Sequence, residues 1–242
     1  MTIKQIKSIL PSPLIITLQD IQNSRIAIDT SIFLYKFKYV KPIEQEFIGC
    51  FKILINQFIK NEIRFIFVFD GKPPELKQQI LDGRQKRKTD DENAVRITKQ
   101  DVDALKLYFD ENEIEYHLAD GEAEKTCCQL EMDGFVDYVL SNDFDTFLFG
   151  AKKLIRSNKG MYELYTWESI SEALKLTRKE FQLMAIAIGF DYLPQGIRGF
   201  GPKKSLEYIQ KFKCLPKHDI SQELLNSIYK EFEMEVGGEP EL

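Results

Sequence analysis

"YVLSNDFDTFLFG", residues 138–150, decides how the rest of the chain is read. An apolar run enters Asp143 and Asp145, and apolar residues follow. Buried charge is costly unless something pairs with it. Either the strand ends in solvent here, or the two carboxylates share a cation.

Working outward, "RIAID" (25–29), "RFIFVFD" (64–70), "IEYHLA" (114–119) and "VDYVLS" (136–141) are short runs, mostly apolar and β-branched or aromatic. Segments with helical spacing separate them; Phe47, Phe51, Ile55 and Phe58 share one face of such a segment. Short apolar strands alternating with helices predict an α/β fold, with a mostly parallel central sheet and helices on both faces. "KLIRS" (153–157) and "YELYT" (162–166) predict a late hairpin. Helices are expected from about Arg178 to Ile188, stopping at Gly189, and from a Ser221 cap to about Phe232. We partition the chain into a core over 1–190, including a short arch region at about 72–112, and a helical module over 191–242.

With 43% hydrophobic and 29% charged residues among 242, the composition is that of a globular chain. No apolar run reaches the roughly 18–20 residues that span a bilayer, and the start lacks a secretory signal. A soluble, intracellular, monomeric protein is expected. Cys50, Cys127, Cys128 and Cys214 have no C-x-x-C spacing, and neither His117 nor His218 lies at ligand spacing from a cysteine. A zinc site or a disulfide framework is not expected. Two histidines also leave little material for triad chemistry, so the acids, bases and nucleophile of an enzyme would come here from carboxylates, lysines or metal-bound water.

Ligands of open α/β sheets bind at the carboxyl ends of the strands. Asp29 ends the first run and Asp70 the second; Glu122 and Glu124 follow the third, Asp143 and Asp145 the fourth, and Asp191 comes just after Gly189. Singly, each has an ordinary explanation as a helix cap, a turn residue or a partner for a helix dipole. Together they would repel and raise one another's pKa. Divalent cations remove that repulsion, and an all-oxygen set suits Mg²⁺, with Mn²⁺ as a substitute. Two such ions roughly 4 Å apart suit phosphodiester hydrolysis.

At this point "AIDTSIFLY", "VFDGKPPELK", "GEAEKTCCQL", "SNDFDTFLFG" and "IGFDYLPQGIRGFGPKKSLEYIQ" resemble, in family order over positions 27–210, the 5′ flap endonuclease family of structure-specific nucleases. The resemblance implies a PIN-like nuclease core with a helical arch and a helix–two-turn–helix. It implies that Asp29, Asp70, Glu122, Glu124, Asp143, Asp145 and Asp191 are the metal-site carboxylates of a two-Mg²⁺ centre. Lys77 and Arg84 match the basic pair that reaches the scissile phosphate, where cations stabilise developing charge. Tyr35 matches an aromatic on which a base stacks; taken alone it reads as core. "IRGFGPKK" matches the duplex-gripping loop, with Gly199 and Gly201 near a phosphate, Lys203 and Lys204 in a helix's first turn, and K⁺ bridging loop to phosphate.

The formal net charge of −5 argues against a nucleic-acid partner until its distribution is considered. Setting aside the seven candidate ligands leaves +2. Lys72, Lys77, Arg84, Lys86, Arg87 and Lys88 form one basic cluster, and Arg198, Lys203, Lys204, Lys211 and Lys213 another.

The chain departs from the family in a short stretch between Arg84 and Tyr116, with acidic "TDDEN" inside it, and in Thr2 where glycine is usual. A compact viral or divergent member fits these departures. "QELLNSIY" (222–229) approaches a sliding-clamp motif but has Ile228 at its first aromatic position, and a plain amphipathic helix accounts for it better.

The expected activity is therefore structure-specific hydrolysis of branched, flapped or nicked DNA, leaving a 5′-phosphate and aiding replication, repair or recombination. Three alternatives stay open: a 5′→3′ exonuclease or Holliday-junction resolvase of the same family, a non-catalytic junction-binding module, and a related ribonuclease.

Overall fold

The computed structural model describes residues 3, 5–41, 44–74, 76–78, 96–158 and 160–232, without the side chains of residues 44 and 45. Arg84, Lys86, Arg87, Lys88, "TDDEN", Thr2 and the acidic tail lie outside the described residues.

In chain order the strands and helices are β1 (Leu14–Ile16), β2 (Arg25–Asp29), α1 (Thr30–Val40), α2 (Glu44–Lys60), β3 (Arg64–Phe69), α3 (Lys99–Glu111), β4 (Tyr116–Leu118) and α4 (Ala123–Met132). There follow β5 (Tyr138–Leu140), β6 (Lys153–Asn158), β7 (Met161–Thr166), α5 (Trp167–Leu174), α6 (Arg178–Ile188), α7 (Pro202–Phe212) and α8 (Gln222–Phe232). The four strands expected in the parallel core, the hairpin, α6 and α8 all form. β1 and α5 were not foreseen.

The sheet order is β1-β7-β6-β5-β2-β3-β4. β6, β5, β2, β3 and β4 run parallel, while β7 is antiparallel to both β6 and β1. From β2 the chain moves outward through β3 to β4, then returns to place β5 on the other side of β2. The strand order therefore reverses between β2 and β5, and in open α/β sheets the ligand crevice lies beyond the carboxyl ends at such a point.

Both faces are buried, and the two-residue strand period sorts side chains between them. Ile26, Ile28, Phe67, Phe69, Leu140 and Ile155 pack with α1, α2 and α3, while Ala27, Val68, Val139 and Leu154 face α4, α5 and α6. Phe51, Phe67 and Phe109 centre the first layer, with the Phe67 and Phe109 ring centroids 4.7 Å apart. Ile209, Leu225, Ile228 and Phe232 belong to the second layer, so α7 and α8 share a core with the sheet. Leu225 and Ile228, anchor positions of the clamp-like motif, are buried there, which favours the amphipathic-helix reading.

One glycine fixes how neighbouring loops meet. The Gly71 amide donates to the Gly121 carbonyl at 2.7 Å, and a Cβ on Gly71 would lie 1.9 Å from the Ala119 carbonyl oxygen. The loop after β3 is thereby stitched to the loop after β4, next to Asp70 and Glu122.

Candidate metal centre and nucleic-acid interface

The carboxylates sit where the strands stop. Asp29 is the last residue of β2 and caps α1, its carboxylate accepting the Ser31 amide at 3.1 Å. The same serine's hydroxyl donates to Asp70, whose other oxygen accepts the Ala123 amide at 2.9 Å. Asp143 caps the 3₁₀ turn Phe144–Phe147 by accepting the Asp145 amide at 3.0 Å. Asp145 in turn accepts the Ile3 amide at 2.7 Å. The capping explanation is thus correct for Asp29 and Asp143, and it does not compete with a ligand role. A cap uses one lone pair of a carboxylate and leaves others to point into the crevice.

Electrostatics tie the seven together. Burial pushes the Asp29 pKa up to about 7, and the charges of Asp70 and Asp143 add to it. Glu124 is held well above the carboxylate range by burial and then by Asp143, Asp145, Glu122 and Asp29. Asp145 is raised by burial, Asp143 and Asp191, against the pull of the Ile3 amide. Such mutual elevation marks acids crowded into one low-dielectric space.

Lys77, in the helical turn at 76–78, enters this space. Its ammonium pairs with Glu122 and, at 3.1 Å, with Asp191. Burial alone would favour its neutral form, but Glu122 and Asp191 outweigh it and hold the lysine well above its usual range. Arg84, the other member of the expected basic pair, lies outside the described residues.

Among the described residues, no three acidic, histidine or cysteine side chains form a ready-made metal cage. Several of the carboxylates are tied to the protein donors just named. The donor set nonetheless fits a hard divalent ion. Every candidate ligand is an oxygen, and the buried Glu124 Oε1 has no hydrogen-bond partner among the described residues.

Three supporting groups escaped the sequence reading. Ser31 bridges Asp29 and Asp70, the Ile3 amide fixes Asp145, and the Tyr192 hydroxyl donates to Glu122. Burial first, then Glu122, raise the Tyr192 pKa, so the phenol keeps the proton it donates. Lys125 lies 5.2 Å from the Tyr192 ring centroid and pairs with Glu231 of α8, bracing the ring. The one available signal was position, since Tyr192 directly follows Asp191.

Tyr35 is 55% exposed on α1, so its core reading is overturned. Gly199 has φ +83°, which favours glycine, whereas Gly201 caps α7 in an ordinary extended conformation. Pro202 opens α7, and Lys203 and Lys204 are exposed in its first turn. No helix among the described residues is long and apolar enough to cross a membrane.

A mostly parallel sheet covered on both faces, with an oxygen-donor cluster and a lysine at its switch point, is the arrangement of a metal-assisted hydrolase. The XPG N-terminal domain model matches residues 1–91, and the XPG I-region model matches residues 113–191. Flap endonuclease 1 of Staphylothermus marinus is 30% identical over 88% of this chain and 75% of its own length. Mouse flap endonuclease GEN homolog 1 is 29% identical over 82% of this chain, which spans only 24% of that relative. The catalytic core of Rad2, solved in complex with DNA substrate, superposes with a TM-score of 0.73 at 28% identity, over 92% of this chain and 73% of that one. The chain belongs to the XPG family, that of the flap endonucleases. Membership brings with it a dependence on divalent metal.

Proposed function

We propose that the protein is a structure-specific 5′ nuclease that hydrolyses DNA phosphodiesters at 5′ flaps and other branched or nicked duplexes, leaving a 5′-phosphate. The observation that carries this reading is the cluster of carboxylates at the β2/β5 switch point, in which burial and neighbouring acids raise Asp29, Glu124 and Asp145, with the Lys77 ammonium among them. When bound, a pair of Mg²⁺ or Mn²⁺ ions supplies positive charge to the phosphodiester and lowers the pKa of the attacking water. Asp29, Asp70, Glu122, Glu124, Asp143, Asp145 and Asp191 are the residues that would hold the pair.

The chain's own groups do the rest. Lys77 turns from Glu122 and Asp191 toward the phosphate and, with Arg84, stabilises the charge that builds there. Tyr192 keeps Glu122 in place, Ser31 fixes the spacing of Asp29 and Asp70, and the Ile3 amide aims Asp145. Tyr35 offers a face to the base beside the cut. Gly199, Gly201, Lys203 and Lys204 grip duplex backbone without reading sequence, with K⁺ belonging to the same grip. Residues 1–190 act as the nuclease core and 191–242 as the duplex-binding module.

A second reading, a junction resolvase, draws on the likeness to the GEN homolog. The deciding experiment is cleavage of 5′-labelled flap, nicked and four-way-junction DNA in Mg²⁺, beside EDTA and Asp143→Asn controls. Cutting at the flap base, reduced at least about a hundredfold by the substitution, is expected. Cutting confined to the junction favours the resolvase, and binding without cleavage of any substrate overturns both.

A further inference from the structure

We infer that the outer row of α7 is a stacking surface for unpaired bases of a DNA strand that continues beyond the gripped duplex, an inference that rests on the nuclease reading for its substrate class. Lys204, Tyr208 and Phe212 are spaced four apart and so lie along one side of α7, and Phe200, in the loop before the helix, packs onto the same row. Phe200 and Tyr208 meet edge to face at 5.5 Å, and the Tyr208 and Phe212 centroids are 4.5 Å apart. The Lys204 Nζ stands 4.4 Å from the Phe200 ring centroid, and Lys211 caps the far end, 5.1 Å from the Phe212 ring.

Of this row only Tyr208 packs against the body, and it is partly buried there. Pro202, Ser205 and Ile209 are the α7 residues buried against the body, whereas Phe212 is 50% exposed. Lys203, Lys204 and Lys211 are exposed and make no ion pair among the described residues, with Glu207 the one acid between them on the neighbouring row. Rings alternating with unpaired cations match a nucleic-acid strand, whose bases offer π-faces and whose phosphates offer charge. From Lys204 to Phe212 the helix rises about 12 Å, which corresponds to roughly three or four nucleotide steps. Lysines at the start of α7 hold the last paired phosphates, and Phe212 receives a base a few nucleotides further on.

The test compares a blunt duplex with the same duplex carrying a five-nucleotide single-stranded 3′ extension that contains 2-aminopurine. Anisotropy with the full chain in EDTA gives affinity, and 2-aminopurine emission reports stacking. The wild-type chain is expected to bind the extended duplex about tenfold more tightly and to quench the probe. Phe212→Leu, which keeps apolar bulk without a ring, should bring the extended duplex down to the blunt-duplex affinity and restore emission. Equal wild-type affinity for both duplexes overturns the inference and leaves the nuclease reading standing. So does a dimer in sedimentation that Phe212→Leu dissociates, since a second copy would then cover the row. Preferential binding with quenching, in a chain that cuts no flap or junction, sinks the nuclease reading and upholds the surface.

Discussion

Lys77 holds one position in the structure, and the proposed chemistry calls for another that excludes it. Its ammonium neutralises Glu122 and Asp191, and the proposed chemistry requires it at the phosphate. Removing it should therefore act oppositely on binding and on catalysis. Lys77→Ala is expected to lower flap cleavage about 10²–10³-fold, while the half-saturating Mn²⁺ concentration, measured by calorimetry without DNA, falls. If Mn²⁺ binding weakens instead, the lysine supports the carboxylates and does not compete for them. The acids make a second prediction. Asp29 is raised from 3.8 to about 7, and Glu124 and Asp145 move the same way, so the folded chain retains protons that the unfolded chain has lost. In EDTA, stability is then greatest below about pH 4 as far as these groups are concerned, and declines as pH rises through about 7. Saturating Mg²⁺ should flatten that decline in urea unfolding midpoints read between pH 5 and 8. A flat profile in EDTA would mean that these carboxylates ionise without a cation.

Among the elements, the parallel strands and their carboxyl ends were legible because both faces are buried and the runs are almost wholly apolar. α6 was legible to the residue, since Thr177 and Glu180 form a capping box and Gly189 stops it. β1 was not, because an apolar run of three residues between Pro13 and Thr17, with Leu14 and Ile15 exposed, is too short to mark a strand. Of the site, the seven acids could be found because each follows a strand or a helix in sequence. Ser31, Tyr192 and the Ile3 amide could not, since contacts spanning 39, 70 and 142 residues leave no local trace. Gly71 carries the prediction that belongs to this scale. Gly71→Ala drives a methyl into the Ala119 carbonyl, a backbone atom with nowhere to go. A loss of about 2–3 kcal/mol in urea unfolding is expected, with weaker Mn²⁺ binding because Asp70 and Glu122 separate. A fully stable variant would show that the two loops can part without harm.

For the molecule as a whole, net charge misleads and its distribution informs. Seven of the acids lie in one crevice, and the lysines of α7 face solvent elsewhere. Affinity for duplex DNA should therefore fall linearly with the logarithm of salt concentration despite the formal −5. The double substitution Lys203→Ala, Lys204→Ala should reduce that slope by about two, whatever the DNA sequence. An unchanged slope would remove the start of α7 from the duplex grip.

The strand order also has a consequence during synthesis. β1, near the start of the sequence, pairs with nothing in the sheet except β7, and Leu14 aligns with Leu164. At ribosomal rates of about 5–20 residues per second, roughly 8–30 s pass before that partner emerges. Throughout this interval "LII" is an unclaimed β-prone segment on a growing nascent chain. Pro11 and Pro13 stand immediately before it, where missing amide donors discourage a stray strand from pairing. The two prolines thus stand where they would discourage stray pairing of the first strand until the last one is made.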